Sequence, residues 1–331
     1  MKIRKTVGLY CSIMFCFFAS VASSALPEAE VQKRVEQLSA KFSKLSELGY
    51  SGSNILVFID FTGSNNFGAW IGTRYVSRPH PIYGSSLHAD KTTTPHKINP
   101  YEQAIEAVVG KLGELDDDGH IFLYGFGSKG VVPPKPNDSQ QRVFNIVTAK
   151  NNANNSQVYS LDSLQDDFSY VSSVKEALEA YQIVRPRIEY WGPTTFVPAI
   201  HKTIETVRKE YQQTGQYKHT IAVIISDGDI TDNLEKENFD AFADATQYPI
   251  SFITIGVGPS DFKDLHKIDD VSEHTSHDVR FDNAQQVVLR EGYINENPTN
   301  LSLDYVYAKA LWEIPDQFEA MLKQKLLVVP D

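Results

Sequence analysis

The stretch NILVFIDFTGSNN, residues 54–66, joins an unbroken apolar run to a series of oxygen-bearing side chains. Residues 55–59 are all apolar and do not alternate with polar residues, which is typical of a central β-strand buried on both faces. Asp60, Thr62 and Ser64 follow at every second position, so their side chains point to the same side of an extended chain. The pattern indicates a strand whose end presents oxygen atoms to a ligand.

Two more apolar runs further along the chain predict parallel neighbours of this strand. HTIAVIISDGD, residues 219–229, again ends in carboxylates, and PISFITIGVG, residues 249–258, ends in glycine. Amphipathic helices are predicted between the strands, at residues 99–115 and 192–211. Apolar strands that alternate with amphipathic helices predict an α/β fold with a mainly parallel central sheet and helices on both faces, of the Rossmann-like kind.

The remaining segments have weaker patterns. Strands are predicted at 120–127 and 142–147, a helix at 168–183, and a final helix at 302–326 with a break at Pro315. Residues 63–98 show no periodicity and are predicted to be a long loop, and residues 128–166 are polar and rich in asparagine and serine, so apart from the strand at 142–147 they are predicted to be mostly loop. Loops of this length in compact domains are often functional, and these two are expected to border the binding surface.

The first 25 residues differ from the rest of the chain. Lys2, Arg4 and Lys5 precede a mostly apolar stretch at residues 7–21, and small residues follow it. The arrangement predicts a secretory signal peptide at residues 1–25 and a secreted or periplasmic protein. If the segment were retained, it would instead anchor the protein in a membrane.

Residues 28–48 carry apolar side chains at helical spacing and predict one amphipathic helix before the first strand. The predicted organisation is therefore a signal peptide at 1–25, an N-terminal amphipathic helix at 26–49 and one domain at 50–331.

Composition argues against several kinds of partner and site. The chain has 31 basic and 42 acidic residues and a net charge of −11, which is the wrong sign for a phosphate backbone, so no nucleic acid partner is expected. Both cysteines, Cys11 and Cys16, lie in the first 25 residues, so no disulfide and no cysteine zinc site is predicted beyond them. No direct membrane binding is expected after removal of the signal peptide.

Three separate segments place oxygen-bearing residues after a predicted strand or before a predicted helix. In open α/β sheets, ligands bind beyond the carboxyl ends of the strands, so these side chains are expected to meet. Carboxylates and hydroxyls without histidine or thiol suit a hard cation, Mg²⁺ best, or another divalent cation such as Mn²⁺. The candidate metal ligands are Asp60, Thr62, Ser64, Thr194 and Asp227, with Thr195 as an alternative to Thr194 and with Asp229 and Asp232 nearby.

The same residues allow other interpretations. Aspartate after a strand and threonine before a helix often only cap the next element. A phosphatase of the haloacid-dehalogenase type is a second functional hypothesis, with Asp60 as the nucleophile and Asp227 or Asp232 as a magnesium ligand. A serine triad hydrolase is disfavoured because no Gly-x-Ser-x-Gly motif occurs. A zinc site among the histidines of residues 266–277 is disfavoured against a solvated loop.

Seven short motifs occur in order along the chain, and they are IDFTGSN, NPYEQAI, LYGFGSKG, GPTTFVPAI, IISDGDITD, YPISFITIGVG and WEIPDQF. In sequence and spacing they resemble the von Willebrand factor A domain of the copine type, which copines share with copine-like RING-domain ligases of plants. The resemblance extends over about residues 50–327. It implies a metal-ion-dependent adhesion site formed by Asp-x-Thr-x-Ser, a threonine in Gly-Pro-Thr and an aspartate in Asp-Gly, which correspond here to the five candidate ligands.

The resemblance also implies how the protein works. It indicates a protein-binding module that is not an enzyme, in which an Asp or Glu carboxylate of a protein partner completes the coordination of Mg²⁺. Two features of the family are not expected here. Only about 25 residues separate the predicted signal peptide from the first strand, too few for the calcium- and lipid-binding C2 domains of copines. A RING needs cysteines to hold zinc, and none follows Cys16.

Overall fold

The computed structural model describes residues 28–71, 74–77, 85–89, 98–128, 142–152, 169–228, 230–292 and 301–328. The strands are β1 (Ser53–Asp60), β2 (Gly68–Ile71), β3 (Arg74–Ser77), β4 (Asp116–Ser128), β5 (Arg142–Asn145), β6 (Thr220–Ser226), β7 (Ile250–Gly256) and β8 (Ala284–Val288). The helices are α1 (Glu28–Glu47), α2 (Pro100–Leu112), α3 (Ile146–Asn152), α4 (Val174–Val184), α5 (Val197–Thr214), α6 (Glu235–Ala245), α7 (Lys263–Ile268), α8 (Leu303–Ala310) and α9 (Ile314–Lys323).

Six strands form the central sheet, in the order β5-β4-β1-β6-β7-β8. Neighbouring strands are parallel except at one edge, where β5 runs antiparallel to β4. The strands β2 and β3 form a separate antiparallel pair. The predicted α/β fold with a mainly parallel sheet is therefore confirmed, and β1 lies inside it between β4 and β6.

Helices cover both faces of the sheet, which explains why β1 shows no alternation. Val57 and Ile59 pack on one face with residues of α2, α4 and α8. Leu56 and Phe58 pack on the other with residues of α5, α6 and α7. All four side chains are fully buried, and each contributes about 1.5–3 kcal/mol relative to an exposed position.

The start of α2 follows the prediction. The Asn99 side chain accepts a hydrogen bond from the Glu102 N–H, and the Glu102 carboxylate accepts one from the Asn99 N–H, both at 2.9 Å. Pro100 occupies the first helical position, where its missing N–H costs nothing. This reciprocal capping fixes the entry of the chain into the helix.

Both segments predicted as loops contain regular structure. Within 63–98, β2 and β3 form a short hairpin. Within 128–166, α3 begins directly after β5, so the strand predicted at 142–147 ends at Asn145. The Asn145 side chain accepts a hydrogen bond from the Thr148 N–H at 3.0 Å and caps this helix.

Two predicted helices have different bounds. The helix predicted at 168–183 begins at Val174, because the Ser173 hydroxyl accepts a hydrogen bond from the Glu176 N–H and caps it there. The helix predicted at 302–326 is two helices, α8 and α9. Pro315 lies in the first turn of α9, where a proline is tolerated, so it begins a helix rather than kinking one.

The elements α6, α7 and β8 were not predicted either. The strand β8 has the sequence AQQVV, and its glutamines hide the apolar pattern of a buried strand. Gln285 and Gln286 are nevertheless buried. Asp269 accepts hydrogen bonds from the Gln285 side chain at 3.1 Å and the Gln286 N–H at 2.9 Å, which offsets part of the desolvation of these polar groups.

The predicted N-terminal helix is present as α1, which packs against α8 and α9. The predicted signal peptide at 1–25 lies outside the described residues. Among the helices that the structure describes, none is long and apolar enough to cross a membrane. The division of the chain at residues 25 and 49 stays a prediction.

Candidate metal centre

The end of β1 and the end of β6 lie side by side. The two strands are parallel and in register, with Ile59 beside Ile225, so Asp60 and Ser226 reach the same edge of the sheet. The Ser226 hydroxyl donates a hydrogen bond to Asp60 Oδ2 at 2.6 Å, and the Thr62 N–H donates one to Oδ1 at 2.7 Å. These two bonds fix the orientation of the Asp60 carboxylate.

Hydroxyl oxygens from two distant segments form a cluster beside Asp60. Thr62 Oγ1 lies 2.8 Å from Ser64 Oγ and 3.2 Å from Thr194 Oγ1. The Ser64 hydroxyl lies 3.5 Å from Thr194 Oγ1 and donates a hydrogen bond to Asp227 Oδ1 at 2.8 Å. The structure thus brings the five candidate ligands together, with four of them buried and Ser64 exposed.

Thr194 is held by contacts on both sides of the cluster. Its N–H donates to Thr231 Oγ1 at 3.0 Å, and its carbonyl accepts from the Thr231 N–H at 3.1 Å. Three residues earlier, the Trp191 N–H bonds to the carbonyl oxygens of Phe61 at 3.4 Å and Gly127 at 3.1 Å. The segment that carries Thr194 is therefore tied to the ends of β1 and β4 and to the segment after β6.

The neighbouring candidates have other roles. The Thr195 hydroxyl donates to the Asn238 side chain at 3.3 Å, so Thr195 faces α6, and Thr194 is the threonine at the cluster. Asp232 is exposed at the start of a short 3₁₀ helix. Asp229 lies outside the described residues.

A buried histidine supports the loop after β1, and sequence reasoning missed it. The His88 ring stacks between Phe61, with ring centroids 4.8 Å apart, and Tyr101, at 3.9 Å. Its Nε2 lies 2.9 Å from the Asp60 carbonyl oxygen, and its Nδ1 lies 2.7 Å from the Tyr181 hydroxyl. His88 comes from the segment predicted as a structureless loop, and only its position in the fold identifies this role.

Asn65 also supports the loop. Its amide donates to the carbonyl oxygens of Asp60 and Thr62, both at 3.3 Å, and its Oδ1 accepts a hydrogen bond from the Tyr101 hydroxyl at 2.7 Å. Asn65 is fully buried. The backbone that presents Thr62 and Ser64 is therefore fixed from within the protein.

Burial sets the protonation of the two ionisable groups at the end of β1. It raises the pKa of the Asp60 carboxyl to about 6, while hydrogen bonds from Ser226 and Thr62 act in the opposite direction. Burial lowers the pKa of His88 to about 3, so this imidazole is neutral near pH 7. A neutral imidazole next to the Asp60 carbonyl adds no positive charge that would repel a cation.

The geometry disfavours the phosphatase hypothesis. A nucleophilic aspartate needs an oxygen that the phosphorus atom of a substrate reaches. Asp60 is fully buried, and both of its carboxylate oxygens accept hydrogen bonds within the protein. The position of Asp60 suits a group that holds the site together rather than one that attacks a substrate.

A separate acidic cluster lies at the other end of the strands, where β1 and β4 begin. Asp116, Asp117 and Asp118 offer carboxylate oxygens that lie within 4.8 Å of one another. Asp116 pairs with Ser53 at the start of β1, seven residues from Asp60, which corresponds to about 23 Å along a strand. Asp117 and Asp118 are exposed, and Asp117 forms an ion pair with Lys218.

The profile of the copine family matches residues 86–329. Similar proteins include E3 ubiquitin-protein ligase RGLG2 of Arabidopsis thaliana, 28% identical over 314 residues, which cover 90% of this chain and 57% of the ligase. E3 ubiquitin-protein ligase RGLG5 of the same plant is 29% identical over 294 residues, with 86% of this chain and 57% of the ligase covered. Copine family protein 2 of Caenorhabditis elegans is 31% identical over 285 residues, which cover 86% of this chain and 3% of that protein.

The chain thus spans little more than half the length of these ligases and a small part of that copine. Among solved structures, the manganese-loaded Plasmodium vivax TRAP protein is similar with a TM-score of 0.39 and 11% sequence identity, over 76% of this chain and 74% of that chain.

These relatives contradict two predictions made from the sequence. Five of the matching proteins, RGLG2 and RGLG5 among them, are named E3 ubiquitin-protein ligases. Such ligases are enzymes, so the prediction that the protein is not an enzyme is wrong. The prediction of a secreted, periplasmic or membrane-anchored protein is also wrong, because copines and ubiquitin ligases are classes of protein that work inside cells. The prediction rested on basic residues, an apolar stretch and the small residues after it, and that pattern alone does not identify an exported protein.

Proposed function

Because the chain belongs to the copine family, we propose that its von Willebrand factor A-type domain binds a protein partner through a divalent cation. The α/β fold and the carboxylate and hydroxyl groups at one edge of its sheet are consistent with a metal-dependent protein-interaction module. Carboxylate and hydroxyl oxygens are the ligands that hard divalent cations prefer.

In this proposal, the five clustered residues hold the ion. Thr62, Ser64 and Thr194 contribute hydroxyl oxygens, and Asp227 binds directly or through a water molecule. Asp60 contributes its charge and keeps the Thr62 backbone in place through its hydrogen bond with the Thr62 N–H.

The chemistry of the donors suggests which cation would bind. The five residues offer carboxylate and hydroxyl oxygens and no nitrogen or sulfur ligand, a donor set that suits a hard cation. We therefore infer Mg²⁺, with Mn²⁺ as the alternative.

The proposed partner is a protein that offers an Asp or Glu carboxylate. Three of the five ligands are neutral hydroxyls, so they leave the ion able to accept a further anionic oxygen. The exposure of Ser64 leaves one side of the cluster open to such a group. A partner carboxylate would then complete the coordination from the solvent side.

The observation that carries this proposal is the meeting of oxygen atoms from three segments far apart in the sequence. Ser64 Oγ lies 3.5 Å from Thr194 Oγ1 and 2.8 Å from Asp227 Oδ1. Capping of adjacent helices explains any one of these residues, but it gives no reason for all of them to point at each other.

The direct test is metal-dependent stabilisation, measured as the shift in Tm of the protein on addition of Mg²⁺ after treatment with chelator. A ligand that binds only the folded state raises stability by about 2.7 kcal/mol at a concentration one hundred times its Kd. We expect the Tm of the unaltered protein to rise and that of Asp227→Asn to stay constant.

Asp232→Asn is the matched control, because it removes the same charge from an exposed aspartate five residues away. It should keep the full metal response. A response that is equal in both variants, or absent from the unaltered protein, would contradict the proposed site.

A further inference from the structure

We propose that a cavity at the start of β8 binds an alkylguanidinium group, either that of a small organic cation or that of an arginine side chain of a partner protein. The cavity has a volume of about 210 Å³. Three acidic residues, a buried asparagine whose side-chain oxygen has no hydrogen-bond partner among the described residues, and an apolar wall line it. Such binding needs no metal and is separate from the proposed function.

The cavity lies away from the candidate metal centre. The strand β8 is three strands from β1 in the sheet, which corresponds to about 14 Å at the usual spacing of neighbouring strands. Through the register of the parallel strands, Ala284 at the start of β8 is level with Leu56 of β1, four residues before Asp60. A group bound in the cavity therefore does not reach the candidate metal ligands.

The three acidic residues are Asp269, Asp270 and Asp282. Asp269 directly follows α7 and is half-buried, whereas the other two are exposed at the mouth of the cavity. Asp269 Oδ1 accepts hydrogen bonds from the Gln285 side chain at 3.1 Å and the Gln286 N–H at 2.9 Å, which fix the orientation of this carboxylate. Among the described residues, no donor bonds to its Oδ2, so this oxygen is available to a ligand.

The carboxylates repel one another. Asp282 is exposed on one side, yet the protein around it removes enough water to raise its pKa to about 6, and the charges of Asp269 and Asp270 act in the same direction. Burial also raises the pKa of Glu313, at the start of α9, to about 8, and the charges of Asp282 and Asp269 add to this effect. A cation in the cavity would relieve this repulsion.

The basic residues nearest the acids leave them largely uncompensated. Burial raises the pKa of Asp269, and the positive charges of Lys309 and His266 offset only part of this effect. The Lys309 ammonium donates to the Glu291 carboxylate at 2.5 Å, so its charge is already paired. Positive charge at the cavity must therefore come mainly from a ligand.

Asn283 supplies a hydrogen-bond acceptor inside the cavity. Its side-chain amide donates to the Phe242 carbonyl at 3.1 Å, and its own carbonyl accepts from the Phe252 N–H at 2.7 Å, so its position is fixed. Asn283 is only 1% exposed, and its Oδ1 has no hydrogen-bond partner in the described part of the chain. A buried oxygen without a donor is unfavourable, and an N–H group of a ligand would satisfy it.

The rest of the wall is apolar. Val271 and Phe281 are buried and Val279 is half-buried, and all three line the cavity. Arg280 lies between two of these residues, but its guanidinium donates to the carbonyl and side-chain oxygens of Gln324, both at 3.2 Å. The apolar wall can pack against the methylene groups of a ligand whose charged end contacts the acids.

The number of acceptors favours a guanidinium over an ammonium. Three carboxylates and one amide oxygen surround the same space. An ammonium has three donors on a single atom, whereas an alkylguanidinium has five donors in a plane and forms paired hydrogen bonds with carboxylates. We therefore expect the site to prefer arginine to lysine.

The test is isothermal titration calorimetry of the full chain in the presence of chelator. The ligands are ethylguanidinium, arginine with an N-acetyl and a methylamide cap, lysine capped in the same way, and capped citrulline, which is the uncharged isostere of arginine. Capped arginine should bind about five-fold more tightly than capped lysine, and capped citrulline should not bind. Tighter binding of capped arginine than of ethylguanidinium would identify a protein side chain as the source of the group, and equal binding would identify a small organic cation.

Three variants localise the binding. Asp282→Asn and Asp270→Asn each remove one charge from the cavity, and each should weaken the binding of capped arginine about ten-fold. Either variant alone is sufficient for the test if the other does not fold. Asp278→Asn is the matched control, because it removes the same charge from an exposed aspartate in the same segment that does not line the cavity. It should bind like the unaltered protein.

Two results would overturn the proposal. If neither guanidinium compound bound, the cavity would not be a site for this group. If Asp278→Asn weakened binding as much as Asp282→Asn, or if capped lysine bound as tightly as capped arginine, the cations would only be attracted to an acidic protein with a net charge of −11. Since every titration is done in chelator, neither result bears on the metal-dependent function.

Discussion

Gly127, at the end of β4, leaves the space that Thr62 occupies. Its φ is +74°, and a Cβ atom added there would lie 2.4 Å from Thr62 Cγ2 and 2.8 Å from the Thr62 nitrogen. Any larger residue therefore combines left-handed backbone strain with a collision against the residue that carries one of the proposed ligands. The second glycine of the Gly-Phe-Gly sequence thus shapes the candidate site without offering an oxygen to it.

We expect Gly127→Ala to lower the free energy of unfolding by about 2–4 kcal/mol, from backbone strain and from displacement of Thr62. The Mg²⁺-dependent rise in Tm should also shrink. Denaturant unfolding with and without metal measures both effects.

Gly119→Ala is the matched control for this variant. Gly119 has the same φ of +74° and lies in the same strand, but an added Cβ would meet nothing within 4 Å. It should show the strain alone, with an intact metal response. An equal loss of stability in the two variants would mean that the contact with Thr62 is unimportant.

The sequence predicted the five clustered residues but not the residues that support them. Asp60 ends a strand that the apolar run identifies, but the extended chain expected through Ser64 is not found, because Ser64 lies in a short 3₁₀ helix at Gly63–Asn65. His88 and Asn65 have no such local signal, because their roles come from Tyr101 and Tyr181 on helices that only the folded chain brings near. These contacts between distant segments form only in the folded protein, so neither residue propensity nor hydrophobic periodicity predicts them.

At the scale of elements, His219 connects the first residues of three parallel strands. Its Nδ1 lies 2.7 Å from Ser53 Oγ at the start of β1, and its Nε2 lies 3.0 Å from Ser251 Oγ near the start of β7. His219 itself immediately precedes β6. It is buried, and burial lowers its pKa to about 3 from an ordinary value of 6.5.

This depressed pKa makes stability dependent on pH. The unfolded state takes up a proton on His219 below about pH 6.5, while the folded state does not until about pH 3. The stabilisation is thus complete above pH 6.5 and is lost as the pH falls through this window, by about 1.4 kcal/mol for each unit. We expect His219→Gln to be less stable at pH 7 but to lose less stability than the unaltered protein between pH 6.5 and 4.5.

Urea unfolding at several pH values measures this difference. His88 has a similarly lowered pKa and is present in both proteins, so subtracting one curve from the other isolates His219. Parallel stability curves would show that His219 does not contribute to acid sensitivity.

The elements that the sequence predicted well are those whose pattern is set by burial on both faces. Every residue of β6 and β7 is buried, as is every residue of β1 except Asn54, and their apolar runs identified these strands. The strand β8 and the helix α3 escaped prediction, because glutamines in the strand and asparagines in the helix hide their periodicity. In β8, hydrogen bonds to Asp269 offset part of the cost of burying polar groups of Gln285 and Gln286.

At the scale of the whole molecule, α1 joins the part of the chain before β1 to the two helices nearest the other end. Leu38 belongs to the large core on one face of the sheet, and Leu45 belongs to a smaller cluster with Phe318 and Met321 of α9. The Lys41 ammonium donates to the Trp312 carbonyl at 2.9 Å, between α8 and α9. These contacts indicate that α1 folds together with the sheet and not as an independent segment ahead of it.

Leu45→Ala tests whether α1 belongs to the same cooperative unit as the sheet. Leu45 is 1% exposed, and removal of a buried leucine side chain lowers the free energy of unfolding by about 2–5 kcal/mol when its surroundings do not collapse into the space. If α1 and the sheet unfold together, this loss appears as a lower midpoint of a single transition, by circular dichroism of the helices and by fluorescence of the tryptophans alike. Lys44→Ala is the control at the neighbouring position: it removes a partly exposed ion pair with Glu319 and should leave the midpoint nearly unchanged. Two separate transitions, or a midpoint that Leu45→Ala leaves where it was, would mean that the helix folds on its own and that a boundary near residue 49 is a real domain boundary.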